Sequence, residues 1–361
     1  MKICKRCILN ENYPGITFND DSICSLCISK TDFIPKGEEK LIRIFEKARK
    51  RNKKYDALVP LSGGKDSTYI LHLAVNIYNL KVIAMTYDNG FMSELSLDNI
   101  KNAVDITKVD HVFYKPDQEL QKKIYRIMLL KTGDICGACD IATRACILKA
   151  SLEYDIPIVL YGTSPLEDNS FVPDSIEDIG RFKYVLISSG EINDKEIKDF
   201  TIYPWLNDLI LSFNKLVGIY PREVRPLFYI KNPSDKEMGE IISKELKWRD
   251  DGREYSRHLD CIAEPFTNYV RNRIYGYERR ICQYSNMVRN NEISRAHALE
   301  LYEDDKIDQP PENYIEILNY LGLNEKDLDQ ILSYKPLMYE DYLSRMNRIY
   351  QWLAKFKRFL Q

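Results

Sequence analysis

A chain of 361 residues with 44% hydrophobic content can bury at least one large core, which excludes a disordered or fibrous protein. Its 52 basic and 54 acidic side chains leave a formal net charge of −2, so no global field draws it to nucleic acid, although a local basic patch still can. The N-terminal MKICKRC has no apolar leader core and no run of 18 apolar residues occurs, so no secretory signal or membrane span is expected and the predicted location is cytoplasmic.

Residues 1–35 are rich in Cys, Asn, Asp and Gly without helical periodicity, and predict a small knuckle that depends on a metal instead of a core. Cys4 and Cys7, then sixteen residues, then Cys24 and Cys27 give two CxxC pairs spaced for one tetrahedral zinc site. A closed four-thiolate site folds a segment and does not catalyse, because no coordination position stays open. The intervening loop has no Lys or Arg, which weighs against a nucleic-acid-binding ribbon.

Leu41, Ile42, Ile44, Phe45 and Ala48 then recur at helical spacing, ahead of a basic run at 47–54 that reads as a solvated face. The apolar run DALVPL leads into Ser62-Gly63-Gly64-Lys65-Asp66-Ser67, a helical pattern over 68–80, and the apolar run KVIAMTYD. This is strand, glycine turn, helix, strand. Further helices are predicted near 97–106, 118–131 and 141–154, with strands at 111–115 and 156–162. The alternation predicts an α/β fold with a doubly wound parallel sheet. Beyond 170 the pattern blurs into helical pieces at 214–220 and 235–246, a Tyr/Arg-rich stretch at 255–284, and amphipathic segments at 312–323 and 340–360. The expected organisation is a zinc ribbon at 1–35, a nucleotide domain at 36–235 and a mostly helical C-terminal region at 236–361.

Ser62 to Ser67 sit where a strand opens into a helix, so backbone N–H groups and the helix dipole can hold an anion there. Gly63 and Gly64 permit close approach to phosphate, Lys65 supplies positive charge, and Ser62 and Ser67 supply hydroxyls; ATP is the natural guest. The pattern GxxxxGK followed by Ser or Thr is absent, so cleavage need not fall at the γ-phosphate.

SGGKDS in this setting resembles the PP-loop ATP pyrophosphatase family, with its adenine nucleotide alpha hydrolase-like fold, whose members cleave ATP between the α- and β-phosphates and form an acyl- or imidyl-adenylate. The resemblance implies adenine held by the main chain at Met85, Thr86 and Tyr87, and a third edge of the crevice at Tyr161, Gly162 and Thr163. It also implies catalytic roles for Lys65 and Asp66, with Asp66 helping to place Mg2+. Asp88 reads equally as a nucleotide contact or as a solvated turn residue. CKRCILNENYPGITFNDDSICSLC followed by VPLSGGKDSTY looks like the N-acetyl sugar amidotransferase group of that family, and the likeness continues through 133–135, 156–162 and 290–306. That likeness implies a sugar carboxylate converted to an amide or amidine, with ammonia from a separate glutaminase subunit.

The chain departs from this group at Cys136 and Cys139, a third CxxC pair, and at Cys261. These three are similar to the thiolates of PP-loop tRNA thiolation enzymes, which hold a 4Fe–4S cluster and leave one iron free to carry sulfur. The departure implies sulfur as the incoming atom and a sulfur donor as partner. A second zinc site, a redox pair or simple packing are the alternatives for Cys136 and Cys139. Cys282 competes with Cys261 as third ligand, and Cys146 reads as core. His258 is a candidate ligand or acid/base, or only a hydrogen-bonded side chain. Arg253, Arg257, Arg271, Arg273, Arg279 and Arg280 offer bidentate contacts to a phosphorylated or carboxylated substrate, or a solvated face.

The expected activity is therefore ATP-dependent adenylation of a carbonyl or amide oxygen followed by its replacement with sulfur. Amidotransfer with ammonia, and a non-catalytic zinc-ribbon nucleotide-binding protein, are the alternatives. A small-molecule substrate is favoured over tRNA by the near-neutral charge. The Tyr-rich C-terminal helices could form a homodimer interface or pack on the chain's own core.

Overall fold

The computed structural model describes residues 2–13, 15–165, 179–201, 220–252 and 260–333. Among them five strands, β1 Ala57–Pro60, β2 Val82–Tyr87, β3 Asp110–Tyr114, β4 Ile158–Leu160 and β5 Arg222–Val224, form one sheet in the order β3-β2-β1-β4-β5. Every pairing is parallel, with Ala57 against Val82 on one side of β1 and against Ile158 on the other. The order runs one way from β1 to β3 and restarts at β4 on the other side of β1. A crevice therefore opens at the carboxyl ends of β1 and β4, where ligands of such sheets bind.

Fourteen helices accompany the sheet among the described residues: α1 Ser25–Ile28, α2 Glu38–Arg49, α3 Lys65–His72, α4 Glu94–Thr107, α5 Gln118–Thr132, α6 Cys136–Glu153, α7 Ile179–Ser189, α8 Asp194–Thr201, α9 Asp235–Leu246, α10 Glu264–Tyr275, α11 Arg279–Arg289, α12 Arg295–Asp305, α13 Tyr314–Tyr320 and α14 Glu325–Ser333. The α3 segment continues into a π-helical turn at Leu73–Ile77 within the run expected to be helical. No helix among the described residues is long and apolar enough to cross a membrane.

Side chains alternate along each strand, so the sheet feeds two cores. Leu58, Ile83, Met85, Tyr87 and Val159 face α5 to α8 together with α10, α13 and α14. Ala57, Val59, Val82, Ala84, Ile158 and Leu160 face α2, α3, α4 and α9. On α2 the buried residues are Leu41, Ile44, Phe45 and Ala48, and Glu38 and Glu39 open the helix while Lys47 and Arg49 close it, matching its dipole. Each large apolar side chain on that face contributes about 1.5–3 kcal/mol, more than a helix cap does, so tertiary burial holds α2 in place.

Two expectations change. The helix expected from 141 begins at Cys136, because the Asp134 carboxylate accepts the Gly137 N–H at 2.9 Å and starts the turn early in a Cys/Gly/Ala stretch without apolar periodicity. Met238, Ile242 and Leu246 of α9, with Trp248, belong to the sheet's second core. The N-terminal knuckle does not lack a core, since Ile8, Leu9 and Tyr13 are buried together with Tyr277, Ile281, Tyr284 and Met287 around α11. Asn10 and Asn12 donate to the Gly276 carbonyl at 3.0 and 3.2 Å, and the Tyr13 and Tyr277 rings meet edge to face at 5.5 Å. The described C-terminal helices α13 and α14 pack on the chain's own first core through Ile317, Leu318, Leu328 and Ile331. Residues 253–259, with His258, Arg253 and Arg257, most of 214–220, and 340–360 lie outside the described residues.

Glu278 caps α11, accepting the N–H groups of Arg280 at 2.5 Å and Ile281 at 3.0 Å. Burial pushes its pKa up to about 7 from 4.5, against the pull of those donors. A raised carboxyl pKa stabilises the fold below the unfolded value and loses that contribution as pH rises through the folded value. The thermal midpoint should therefore fall between pH 5 and 8, and Glu278→Gln should flatten this dependence in differential scanning calorimetry; an equally steep slope would assign the effect elsewhere.

Candidate active site

Ser62 to Ser67 turn from β1 into α3 at the sheet's reversal point. Gly63 has φ +82°, and a Cβ there would lie 2.3 Å from the Ser96 carbonyl oxygen at the start of α4. Only glycine fits. Its own carbonyl accepts Trp248 Nε1 at 3.0 Å and Asn99 Nδ2 at 3.3 Å, and Asn99 in turn bonds both backbone groups of Arg249. Gly64 precedes α3 without any side-chain cap, so the dipole end of this helix faces the crevice. Ser67 Oγ accepts the Ser62 N–H at 3.2 Å and donates to the Gly64 carbonyl at 3.1 Å, which holds the loop round.

Lys65 is 4% exposed, and its Nζ lies 3.0 Å from Asp66 Oδ1 and 2.6 Å from Asp235 Oδ1. Asp235 opens α9, 170 residues away, and sequence reasoning missed it together with Asn99 and Trp248. The capping box of Ser234 and Glu237 marks the helix start at Asp235, but no local pattern joins that start to the loop. Asp66 and Asp235 present hard carboxylate oxygens beside the loop, the donor type that Mg2+ takes. Gly162 closes the other wall: a Cβ there would lie 2.9 Å from the Asp66 carbonyl carbon, so β4 ends against the loop backbone. Thr163 follows, half-buried.

Met85, Thr86 and Tyr87 are buried at the end of β2. Pro60 pairs with Met85, so Thr86 and Tyr87 run past the end of β1 beside the loop. Thr86 Oγ1 donates to the Leu61 carbonyl at 2.6 Å and lies 2.9 Å from His111 Nε2, which burial keeps below its usual pKa. The Asp88 carboxylate accepts the Gly90 N–H at 3.0 Å, the bond of a turn residue.

Cys136 and Cys139 occupy the first turn of α6, and Cys261 forms a bridge with Met92 beside β2's exit. All three are half-buried free thiols. Burial pushes each upward, with Cys139 at about 12; for Cys139 the charge of Cys136 adds to this, and for Cys261 the charges of both other thiols do. The three therefore share one neighbourhood, with Arg279 and Arg271 opposing the rise at Cys136. Arg271 lies 3.7 Å from Asp134, Arg280 is bound to Glu264 at 2.8 Å, and Arg273 is exposed. Cys282 is buried in the knuckle core, and Cys146 is buried in the first sheet core, against which Cys139 and Cys261 also pack.

Cys4, Cys7, Cys24 and Cys27 bring four sulfurs within 4.8 Å of one another, the one such group of metal-binding side chains among the described residues. Cys4 to Cys27 is 3.8 Å and Cys7 to Cys24 is 3.7 Å. A tetrahedron with Zn–S of about 2.3 Å has edges of about 3.8 Å, so the residues fit a zinc ion. The N–H groups of Arg6, Cys7 and Cys24 point at Cys4 Sγ from 3.3–3.4 Å. Hydrogen bonds from Cys24 and Cys27 hold the Cys7 thiol far below the usual range, and hydrogen bonds to Cys24 and Cys7 push Cys27 far above it. All four can ionise together only around a cation. Arg289 of α11 reaches Cys7 Sγ at 3.6 Å and Arg295 of α12 reaches the Cys7 carbonyl at 2.9 Å.

Residues 252–357 match the model of the C-terminal domain of WbpG-like LPS biosynthesis proteins. That part of the chain is similar to a WbpG-like domain. It supplies α10 to α14, and so both Cys261 and the helices that hold the knuckle. An uncharacterized protein of Methanocaldococcus jannaschii is 26% identical over 118 residues, 32% of this chain and 43% of that protein. The chain thus spans under half the length of the curated relative it matches. The U34-tRNA thiolase NcsA of Methanococcus maripaludis, solved with its 4Fe–4S cluster, aligns over 87% of this chain and 91% of its own at 17% identity and TM-score 0.37. NMN synthetase of Francisella tularensis aligns over 78% of this chain and 100% of its own at 13% identity and TM-score 0.31. Scores of this size leave the architecture resting on the strand order and on the loop after β1.

Gly63→Ala should abolish nucleotide binding measured by calorimetry, because the left-handed turn and the contact with Ser96 both forbid a Cβ. Trp248→Phe should keep the fold, cost about 1–3 kcal/mol by leaving the buried Gly63 carbonyl short of a donor, and weaken ATP binding. Unchanged ATP affinity in both would remove this loop from the site.

Proposed function

We propose that the chain is an AMP-forming enzyme that adenylates a carbonyl oxygen of a small sugar-type substrate of lipopolysaccharide synthesis and then replaces that oxygen. The observation that carries the reading is the phosphate loop, with Lys65 buried between two carboxylates at the reversal point of the sheet. The WbpG-like domain supports the substrate class. The oxygen attacks the α-phosphate and pyrophosphate leaves; Lys65 and the uncapped start of α3 stabilise the charge that develops on the phosphates. Asp66 and Asp235 would hold Mg2+, which supplies further charge neutralisation when bound. Adenylation is needed because a carbonyl or amide oxygen leaves poorly and AMP leaves well.

Cys136, Cys139 and Cys261 favour sulfur as the incoming atom. Among the described residues they do not converge as closely as a single-ion site requires, and Arg271 and Arg279 offset negative charge beside them, so the donor set suits an iron–sulfur cluster better than a second zinc. Such a cluster would carry the transferred sulfur. A second reading, ammonia from a glutaminase partner, is favoured by the likeness of the N-terminal segment and loop to sugar amidotransferases.

With radiolabelled ATP, AMP and pyrophosphate are the expected products, and Lys65→Ala should lower their formation at least 100-fold; ADP and phosphate would overturn the reading. Anaerobic protein should hold about four iron and four sulfide per chain, lost in the Cys136→Ala, Cys139→Ala variant while one zinc stays. Zinc alone in the wild type would select the ammonia reading.

A further inference from the structure

A cleft of about 260 Å³ lies between α2 and β5, the strand at one end of the sheet order. Lys36, Lys40, Arg43, Lys47 and Arg222 line it, and no carboxylate does among the described residues. Lys40, Arg43 and Lys47 are three and four positions apart and so share one face of α2. The Lys36 N–H donates to the Phe228 carbonyl at 2.9 Å and the Gly37 N–H to the Tyr229 carbonyl at 3.1 Å, which ties the head of α2 to the turn after β5. Lys36 Nζ is held 5.3 Å from the centres of the Phe228 and Tyr229 rings. Arg222 begins β5 beside Ile158, which pairs with Ala57 at the start of β1, whereas the phosphate loop follows the other end of that strand. None of Ser62 to Ser67 lines the cleft.

The chain does not cancel this charge itself. Of the five cations only Arg43 has a carboxylate within reach among the described residues, Glu39 at 3.8 Å, in an exposed pair of little strength. Glu38 is turned away: it accepts the Tyr78 hydroxyl at 2.8 Å and sits about 200° around the helix from Lys40. Just beyond α2, by contrast, Lys53 is paired with Asp155 and Lys54 with Asp110. Four unpaired cations around one concave space, in a chain of net charge −2, make a local field that draws anions.

A single phosphate group carries roughly −2 and leaves such a set half neutralised, while two linked phosphates match it better. Half-buried Tyr229 and buried Ile44 line the same cleft and offer an apolar wall to a ring carried beside the phosphates. The space equals the volume of about nine waters, which suits a small molecule and not a nucleic-acid duplex. We infer that the cleft between α2 and β5 is a second anion site, separate from the crevice at the phosphate loop, that takes a small organic diphosphate of the nucleoside diphosphate class.

The test is calorimetry on the full chain at about 0.1 M salt, with guanosine diphosphate as probe. The variant Lys40→Gln, Lys47→Gln, Arg222→Gln changes only exposed side chains and leaves both sheet cores untouched. Guanosine diphosphate should bind it at least tenfold more weakly than wild type, while its ATP affinity stays unchanged and Lys65→Ala still binds guanosine diphosphate. Equal affinity in the triple variant, loss in Lys65→Ala alone, or no binding by wild type would each overturn the site. Inorganic pyrophosphate is the second probe: weaker binding than guanosine diphosphate supports the ring-binding wall, and equal binding overturns it. Binding of tRNA without guanosine diphosphate, lost in the triple variant, would replace the small-molecule site with an RNA-docking surface.

Discussion

The structure depends on one backbone contact, the wedge of Gly63 against the carbonyl of Ser96. The chain leaving β1 makes a left-handed turn there with no room for a Cβ, and the Gly63 carbonyl is taken by Trp248 and Asn99. From this follow the orientation of α3, the burial of Lys65 and the approach of Gly162 to the Asp66 backbone. A buried ammonium needs partners, and Asp66 and Asp235 supply them from two different elements. The loop is thus held by residues from α3, α4 and α9, while its crevice side is left to the helix dipole.

The C-terminal helices do two things at once. α10, α13 and α14 complete the first core of the sheet, while α11 and α12 share a core with the cysteine knuckle. Arg289 and Arg295 tie that knuckle to the WbpG-like domain through a sulfur and through backbone carbonyls. A zinc ion at the four thiols would therefore stabilise the junction between the two ends of the chain as well as the N-terminal segment itself. Buried charge is opposed in the same region: Arg271 lies 3.7 Å from Asp134 and Arg280 lies 2.8 Å from Glu264.

Much of the sheet was legible in the residues. The strands at 56–61 and 81–88 lie where the apolar runs put them, because strands buried on both faces are continuous runs of Val, Ile, Leu and Ala. The start of α6 was not legible, since Cys136 to Ala142 carries no 3.6-residue rhythm and the turn is nucleated by the Asp134 side chain. Neither was α9's place in the sheet core: its amphipathic stripe is plain, but a stripe does not say which surface it covers.

The sequence by itself determined the α/β class, the glycine-lysine loop and the spacing of the four N-terminal thiols. Those are local matters of periodicity, backbone freedom and side-chain reach. Only the tertiary structure decided that Asp235 and Trp248 lie against the loop, that Cys261 packs on the same core as Cys139 while Cys282 packs in the knuckle core, and that the knuckle shares its core with α11. Those pairings span from about one hundred to nearly three hundred residues, and are set by which apolar faces meet when the sheet is covered, a global packing outcome that no local pattern encodes.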